Sequence, residues 1–254
     1  MALDIHVFRT LSDNTGALLR DPASGICAAV DVPDAEAVLA AAKEKGWEIS
    51  RVLVTHEHAD HVQGIAALKQ ATGAQVFAPA AAREGAPVDT VIAEGDSVSV
   101  GDYPFAVWAT PGHAEGHLSL VSSRAALALV GDVVFVMGCG RVMPGRMEAM
   151  WTSVSRIMEL PEATTLITGH DYTLSNARFA AAMDPANPAV ASRLAEAEAA
   201  KESGRFWSVT TVGEEKASNP FFRAGQEALA ATLGLVGKPA GAVFAALREA
   251  KNRF

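Results

Sequence analysis

Cysteine is nearly missing from this chain: Cys27 and Cys139 are the only two in 254 residues, and neither belongs to a Cys-x-x-Cys pair. A disulfide scaffold is therefore not implied, and the reducing cytoplasm is the expected compartment. Basic excess is missing too. Lys and Arg number 21 against 29 Asp and Glu, for a formal net charge of -8. That balance argues against sequence-independent nucleic-acid binding, which needs clustered cations to displace counterions, while leaving room for a local basic pocket. No apolar run is long enough to span a membrane, since the most apolar stretch, Ala125 to Met137, is interrupted by Asp132. The start, Met1 to His6, lacks the basic region and apolar core of a signal peptide. Also lacking is a nucleophile elbow around Ser119 or Ser175, and Gly138 to Gly145 does not fit a dinucleotide or phosphate loop. What remains is a chain that is 50% hydrophobic and 20% charged, enough for a large core in one big domain or two.

Against these absences stands one dense cluster, Thr55-His56-Glu57-His58-Ala59-Asp60-His61. Imidazole and carboxylate are ligands for zinc, iron and manganese. Arg51 to Thr55 reads as a short buried strand and Val62 to Lys69 as the start of a helix, so the cluster lies on a strand-to-helix turn. In an extended chain His56 and His58 point the same way, whereas Asp60 and His61 turn with the helix start toward a second point. One turn can serve two metals.

Three further polar sites follow apolar runs. Thr110-Pro111-Gly112-His113 follows a strand ending at Ala109, Gly131-Asp132 ends the run Ala125 to Val130, and Gly169-His170-Asp171-Tyr172 follows Thr165 to Thr168. Taken singly, each is a solvated turn as readily as a ligand. Taken together, they place His56, His58, His61, His113 and His170 at such turns and leave only His6 and His117 elsewhere. The expected assignment is His56, His58 and His113 on one metal, Asp60, His61 and His170 on a second, and Asp132 bridging. His117 is expected to pack or to support a ligand, and His6 to be an ordinary strand residue.

The first two thirds of the chain alternate short strands with a few helices, among them a helix over 34–45 and strands over 75–78, 105–109 and 127–130. From about Thr173 the pattern turns helical, over 175–183, 188–203, 224–233 and 240–251. Two domains are expected, residues 1–172 for metal binding and catalysis and 173–254, mainly helical, for substrate binding.

The order Thr-His-x-His-x-Asp-His, Pro-Gly-His113, Gly-Asp132 and Gly-His170 resembles that of the metallo-β-lactamase superfamily. Within it the chain is similar to glyoxalase II, the hydroxyacylglutathione hydrolase family. Further marks are Gly138-Cys139-Gly140-Arg141, His170-Asp171-Tyr172-Thr173, Thr211-Val212-Gly213-Glu214-Glu215-Lys216, Asn219-Pro220-Phe221-Phe222-Arg223 and Arg248 to Phe254. The resemblance implies an α+β fold, an αββα metallo-β-lactamase sandwich followed by a mainly helical C-terminal domain. It implies a thioesterase hydrolysing S-2-hydroxyacylglutathione, typically S-D-lactoylglutathione, with two divalent metal ions, zinc first and iron or manganese as substitutes. It also implies catalytic roles for Asp60, Asp132 and Tyr172, and glutathione contacts from Arg141, Tyr172, Arg248 and Lys251. The expected partner is the small-molecule thioester alone, with no nucleic acid or membrane, and the expected state is a monomer. If the segment from Ala240 is helical, Arg248 and Lys251 share a face and can grip the glycyl carboxylate.

Met143 departs from the family pattern, which has an aromatic residue at that position, so weaker thioester binding with turnover retained is expected. Asn252 and Thr15-Gly16 are lesser departures. The rival is a persulfide dioxygenase using one iron. Its family has Gly-Arg-Thr-Asp-Phe where this chain runs Gly140-Arg141-Val142-Met143-Pro144.

Overall fold

Runs of alanine, valine and leucine closed off by aspartate, glycine or proline form the strands of this protein, and capped alanine-rich stretches form its helices. The computed structural model describes residues 2–254. It divides into two units, one holding the chain through Ala109 together with Ala114–Gly131, the other holding Thr110–His113 and the chain from Asp132 onward.

The first unit begins with β1 (Asp4–Thr10), β2 (Asn14–Arg20) and β3 (Cys27–Val30), followed by α1 (Ala35–Lys45), β4 (Ile49–Leu53), α2 (Ala59–Val62), α3 (Ile65–Thr72), β5 (Gln75–Ala78) and β6 (Thr90–Val91). The strands form one sheet in sequence order, antiparallel from β1 to β3 and parallel from β3 to β6. Helix α1 is fixed at both ends: the Asp34 side chain accepts from the N–H groups of Glu36 and Ala37, and Gly46 closes it in the left-handed region at φ +67°. Its Val38, Ala41 and Ala42 join Ile65 and Leu68 of α3 over Leu18, Ala29, Val52 and Val76 of the sheet. Each large side chain fully buried there contributes about 1.5–3 kcal/mol. Strands β7 (Ser97–Val100), β8 (Tyr103–Ala109), β9 (Leu118–Ser122) and β10 (Leu127–Gly131) make an antiparallel meander.

The second unit has a two-residue-per-arm hairpin, β11 (Val134–Phe135) with β12 (Gly138–Cys139), then α4 (Met147–Met158), β13 (Thr165–Thr168), α5 (Thr173–Met183), α6 (Pro188–Ser203), β14 (Val209–Thr211), α7 (Val212–Ser218), α8 (Glu227–Thr232) and α9 (Ala240–Arg253). Strands β13 and β14 pair antiparallel. Helix α6 starts on Asn187 with Pro188 in its first turn, and α7 starts on a reciprocal capping box between Thr211 and Glu214. The expected helix over 224–233 begins only at Glu227. Helix α4 and the short elements β6, β11, β12, β14 and α7 were not expected from the sequence. Among the described residues no helix is long and apolar enough to cross a membrane.

Candidate active site

The candidate metal-ligand turn leaves the end of β4. The expected strand over 51–55 stops at Leu53, because the Thr55 N–H is taken by a side chain instead of a neighbouring strand. That side chain is Asp31, just past the end of β3, buried and held at φ +48°. Its Oδ1 accepts from the Thr55 N–H at 2.8 Å, and its Oδ2 accepts from the Thr55 hydroxyl at 2.8 Å and lies 2.9 Å from His61 Nδ1. A carboxylate can only accept, so the proton of His61 sits on Nδ1 and Nε2 is left for a metal. The same reasoning runs one residue further. The Thr55 proton goes to Asp31, so the hydroxyl accepts from His56 Nδ1, 3.0 Å away, and His56 Nε2 carries no proton.

His56 Nε2 and His58 Nδ1 are 3.1 Å apart, a spacing suited to two ligands on one ion. Asp60 opens α2, and the Asn14 amide donates to both its carboxylate (3.0 Å) and its carbonyl (3.1 Å). His61 Nε2 is 3.8 Å from the same Asp60 oxygen. His117 is buried and stacks on the His56 ring with centroids 4.9 Å apart, the packing role expected of it. Within the first unit, then, the structure brings together His56, His58, Asp60 and His61.

The second unit brings together His113, Asp132 and His170. His113 Nδ1 donates to the Arg141 carbonyl at 2.9 Å, which again presents Nε2. That atom lies 3.3 Å from Asp132 Oδ2, and His170 Nε2 lies 3.5 Å from the same oxygen. Asp132 and His170 are buried. A β-carbon on Gly140 would sit 2.0 Å from the Asp132 carbonyl oxygen, so only glycine lets the chain pass there. Around His170 the aromatic packing is close. Tyr172 stacks on it with centroids 4.9 Å apart and planes 6° from parallel, and the edge of Phe135 meets both rings. These donors fit divalent ions: His56, His61 and His113 each carry their proton on Nδ1, and carboxylate oxygens lie 3.8 Å from Nε2 of His61 and 3.3 Å from Nε2 of His113.

The residues expected to hold substrate differ in exposure. Arg141 is exposed, Met143 is 37% exposed and Tyr172 40%. Arg248 is 5% exposed, with Nη1 donating to the carbonyls of Cys139 (2.8 Å) and Gly140 (3.4 Å) and its guanidinium over the Phe221 ring. Lys251 donates from Nζ to the carbonyl and hydroxyl of Ser175, each at 2.9 Å. Burial, reinforced by the Arg248 charge, pushes the Lys251 pKa down to about 8. Burial also raises the Cys139 thiol to about 11 and the Cys27 thiol to about 12, so neither is a nucleophile near neutral pH.

Sequence reasoning missed Asp31 and the support that Asn14 gives Asp60. For Asp31 the signal existed, since a carboxylate directly after the buried run Cys27–Val30 is the same cue that singled out Asp132.

Residues 10–170 match the family model of the metallo-beta-lactamase superfamily, and residues 171–254 match that of the hydroxyacylglutathione hydrolase C-terminus. The chain is 51% identical over 253 residues to a hydroxyacylglutathione hydrolase of Methylobacterium sp. (strain 4-46), covering 99% of both chains. It is 42% identical over 255 residues to one of Cereibacter sphaeroides (strain ATCC 17025 / ATH 2.4.3), covering 100% of both. Among solved structures it is similar to ETHE1 from Myxococcus xanthus, with TM-score 0.65, 25% identity, and 100% of this chain and 98% of that one covered. It also shares the fold of the B3 metallo-beta-lactamase BLEG-1, with TM-score 0.66, 21% identity, and coverage of 86% and 99%.

Proposed function

The chain belongs to the hydroxyacylglutathione hydrolase family of the metallo-β-lactamase superfamily, and from that premise we propose that it hydrolyses S-D-lactoylglutathione to glutathione and D-lactate in methylglyoxal detoxification. The observation that carries the reading is Asp132, with one oxygen facing Nε2 of both His113 and His170. That is the arrangement of a carboxylate shared between two cations.

In this reading His56, His58 and His113 would hold one ion and Asp60, His61 and His170 the other, with Asp132 as the carboxylate available to both. Zinc is the first choice, and iron and manganese suit the same thiolate-free set. When bound, such ions supply Lewis acidity and water of lowered pKa. The protein does the rest. Asp31, Thr55 and the Arg141 carbonyl hold the ligand tautomers, and Asn14 orients Asp60. Tyr172, anchored on His170 with its ring partly exposed, offers a hydroxyl to the thioester carbonyl as negative charge grows on its oxygen. Arg141 and Lys251 neutralise glutathione carboxylates, Met143 covers its apolar stem, and Arg248 acts from behind by fixing Gly140. The leaving thiol, of pKa about 8.5, departs as thiolate without a general acid.

We assign metal binding and catalysis to residues 1–172 and substrate binding to 173–254, with Arg141 and Met143 contributed from the first, a division supported by the two family models meeting between 170 and 171. The match of 171–254 to the hydrolase C-terminus also favours this reading over a mono-iron persulfide dioxygenase. A cytoplasmic monomer is proposed. Two free, buried thiols suit a reducing compartment, and light scattering on the purified protein would give its mass.

The deciding experiment is thiol release from S-D-lactoylglutathione before and after chelation, with metal counted on the same sample. Chelator-sensitive release with about two metals per chain supports the thioesterase. A filled site without release, accompanied by oxygen uptake on glutathione persulfide, would replace it with the dioxygenase.

A further inference from the structure

Glu215 has no exposed surface, and its carboxylate is saturated. Oε1 accepts from Arg193 Nη1 and from the Thr210 hydroxyl, each at 2.8 Å. Oε2 accepts from the Asn219 amide at 2.7 Å and from the backbone N–H of Met137 at 2.8 Å. Met137 lies at the tip of the β11–β12 hairpin in the left-handed region, φ +56°, a conformation that a methionine keeps only when its surroundings impose it.

Side chains from the helices hold the rest of the hairpin. The Asn219 amide reaches the Gly138 carbonyl at 2.9 Å, and the Asn176 amide donates to the Val136 carbonyl at 3.1 Å. A β-carbon on Gly138 would lie 2.4 Å from the Asn176 amide nitrogen, so the approach is as close as glycine permits. Asp132 enters this hairpin and Arg141 leaves it. The arms pair Val134 with Cys139 and Phe135 with Gly138, so a shift at the tip passes down both. Phe135, on the first arm, carries the rings of His170 and Tyr172, and the Arg141 carbonyl beyond the second arm fixes His113.

We propose that Glu215 is a positioning residue for the hydrolysis. By gripping the Met137 N–H it sets the hairpin that carries Asp132 at one end and Arg141 at the other, and so tunes metal affinity and thioester affinity together. The inference rests on the reading of Asp132 as a ligand and Arg141 as a glutathione contact. A purely structural ion pair would instead affect stability alone.

Glu215→Gln separates the two. It keeps the volume but replaces one acceptor oxygen with an NH2 group, a donor set against two partners that themselves donate. Zinc affinity is read by competition with a chromophoric chelator, KM with S-D-lactoylglutathione, and stability by thermal melting. Expected is a loss of zinc affinity of about tenfold or more together with a raised KM. Val100→Ala, a fully buried position on β7 outside the packing of the hairpin, should lower the melting temperature while leaving both affinities at wild type. A Glu215→Gln protein that melts earlier with both affinities unchanged overturns the proposal, as does a shift in one affinity without the other. Should Glu215→Gln be insoluble, Asn176→Ala, which removes only the donor to Val136, should give the same paired shift at smaller size, and wild-type values there overturn the proposal equally. Failure of the underlying reading is seen separately, in wild-type protein that releases no thiol or in Asp132→Asn that binds zinc normally.

Discussion

His61 Nδ1 lies 2.9 Å from Asp31 Oδ2, and the same carboxylate oxygen takes the Thr55 hydroxyl at 2.8 Å. One buried anion thus fixes the tautomers of two candidate ligands, His61 directly and His56 through Thr55. Asp31→Asn should therefore be worse than its small change in shape suggests. Its amide can face His61 Nδ1 as a donor, which moves the imidazole proton to the nitrogen meant for metal. The expected result is a loss of zinc affinity of about 10- to 100-fold in chelator competition, and an affinity within twofold of wild type would refute the tautomer argument.

Met143→Tyr should strengthen substrate binding without changing turnover. Position 143 is 37% exposed, so a phenol fits without repacking the core. One added hydrogen bond of about 1 kcal/mol corresponds to roughly a fivefold lower KM with kcat nearly constant. Steady-state kinetics on S-D-lactoylglutathione decide it, and an unchanged KM counts against position 143 as a substrate contact.

Lys251 gives a pH signature. Its pKa is pushed down to about 8, first by burial and then by the Arg248 charge, from a usual value near 10.5. As pH rises past about 8 the ammonium that should bind a carboxylate is lost, so KM should climb between about pH 7.5 and 9.5. Lys251→Arg should flatten that climb, and Lys251→Ala should raise KM below about pH 8 and converge on wild type above it. Stability moves the opposite way. Between about 8 and 10.5 the unfolded chain holds more protons on this lysine than the folded one, so this residue's contribution makes the fold more stable as pH rises. Rates corrected for spontaneous thioester hydrolysis give the first trend and urea melts the second.

Gly140→Ala tests how tightly the chain passes Asp132. The new methyl would sit 2.0 Å from the Asp132 carbonyl oxygen, which is backbone and cannot swing aside. A destabilisation of about 1–3 kcal/mol is expected, with metal content below wild type on the same preparation. Full metal content in a stable Gly140→Ala protein would mean that Asp132 tolerates displacement.

Several elements were legible in the sequence because local pattern alone decides them. Strands over 75–78 and 165–168 and the helix over 188–203 fall where the apolar periods and their Asn, Pro and Gly punctuation put them. The candidate ligand turns could be located for a chemical reason: each alone reads as readily as a solvated turn, but together the histidines and aspartates just after apolar runs form one metal-binding set. Helix α4 was overlooked although Met150, Ser153, Val154 and Ile157 are spaced as one buried helical face. The β11–β12 hairpin could not be read, since arms this short carry no period and its tip is held by Glu215, Asn219 and Asn176 from distant helices. The same holds for Arg248. Its spacing from Lys251 suggested a shared ligand-facing surface, yet the fold turns its guanidinium inward to Cys139 and Gly140.

The segment from Arg141 to Arg146 combines a tied backbone with exposed side chains. Met143 donates its N–H to the Gly112 carbonyl at 2.9 Å and accepts from the Arg146 N–H at 3.0 Å, while Arg141, Met143, Pro144 and Arg146 all stand exposed. Side chains there can be exchanged with little risk to the main chain beneath them. A combinatorial library over these four positions is thus a direct route toward enzymes that accept acyl groups on thiol carriers other than glutathione, with the hydrolytic chemistry inherited intact.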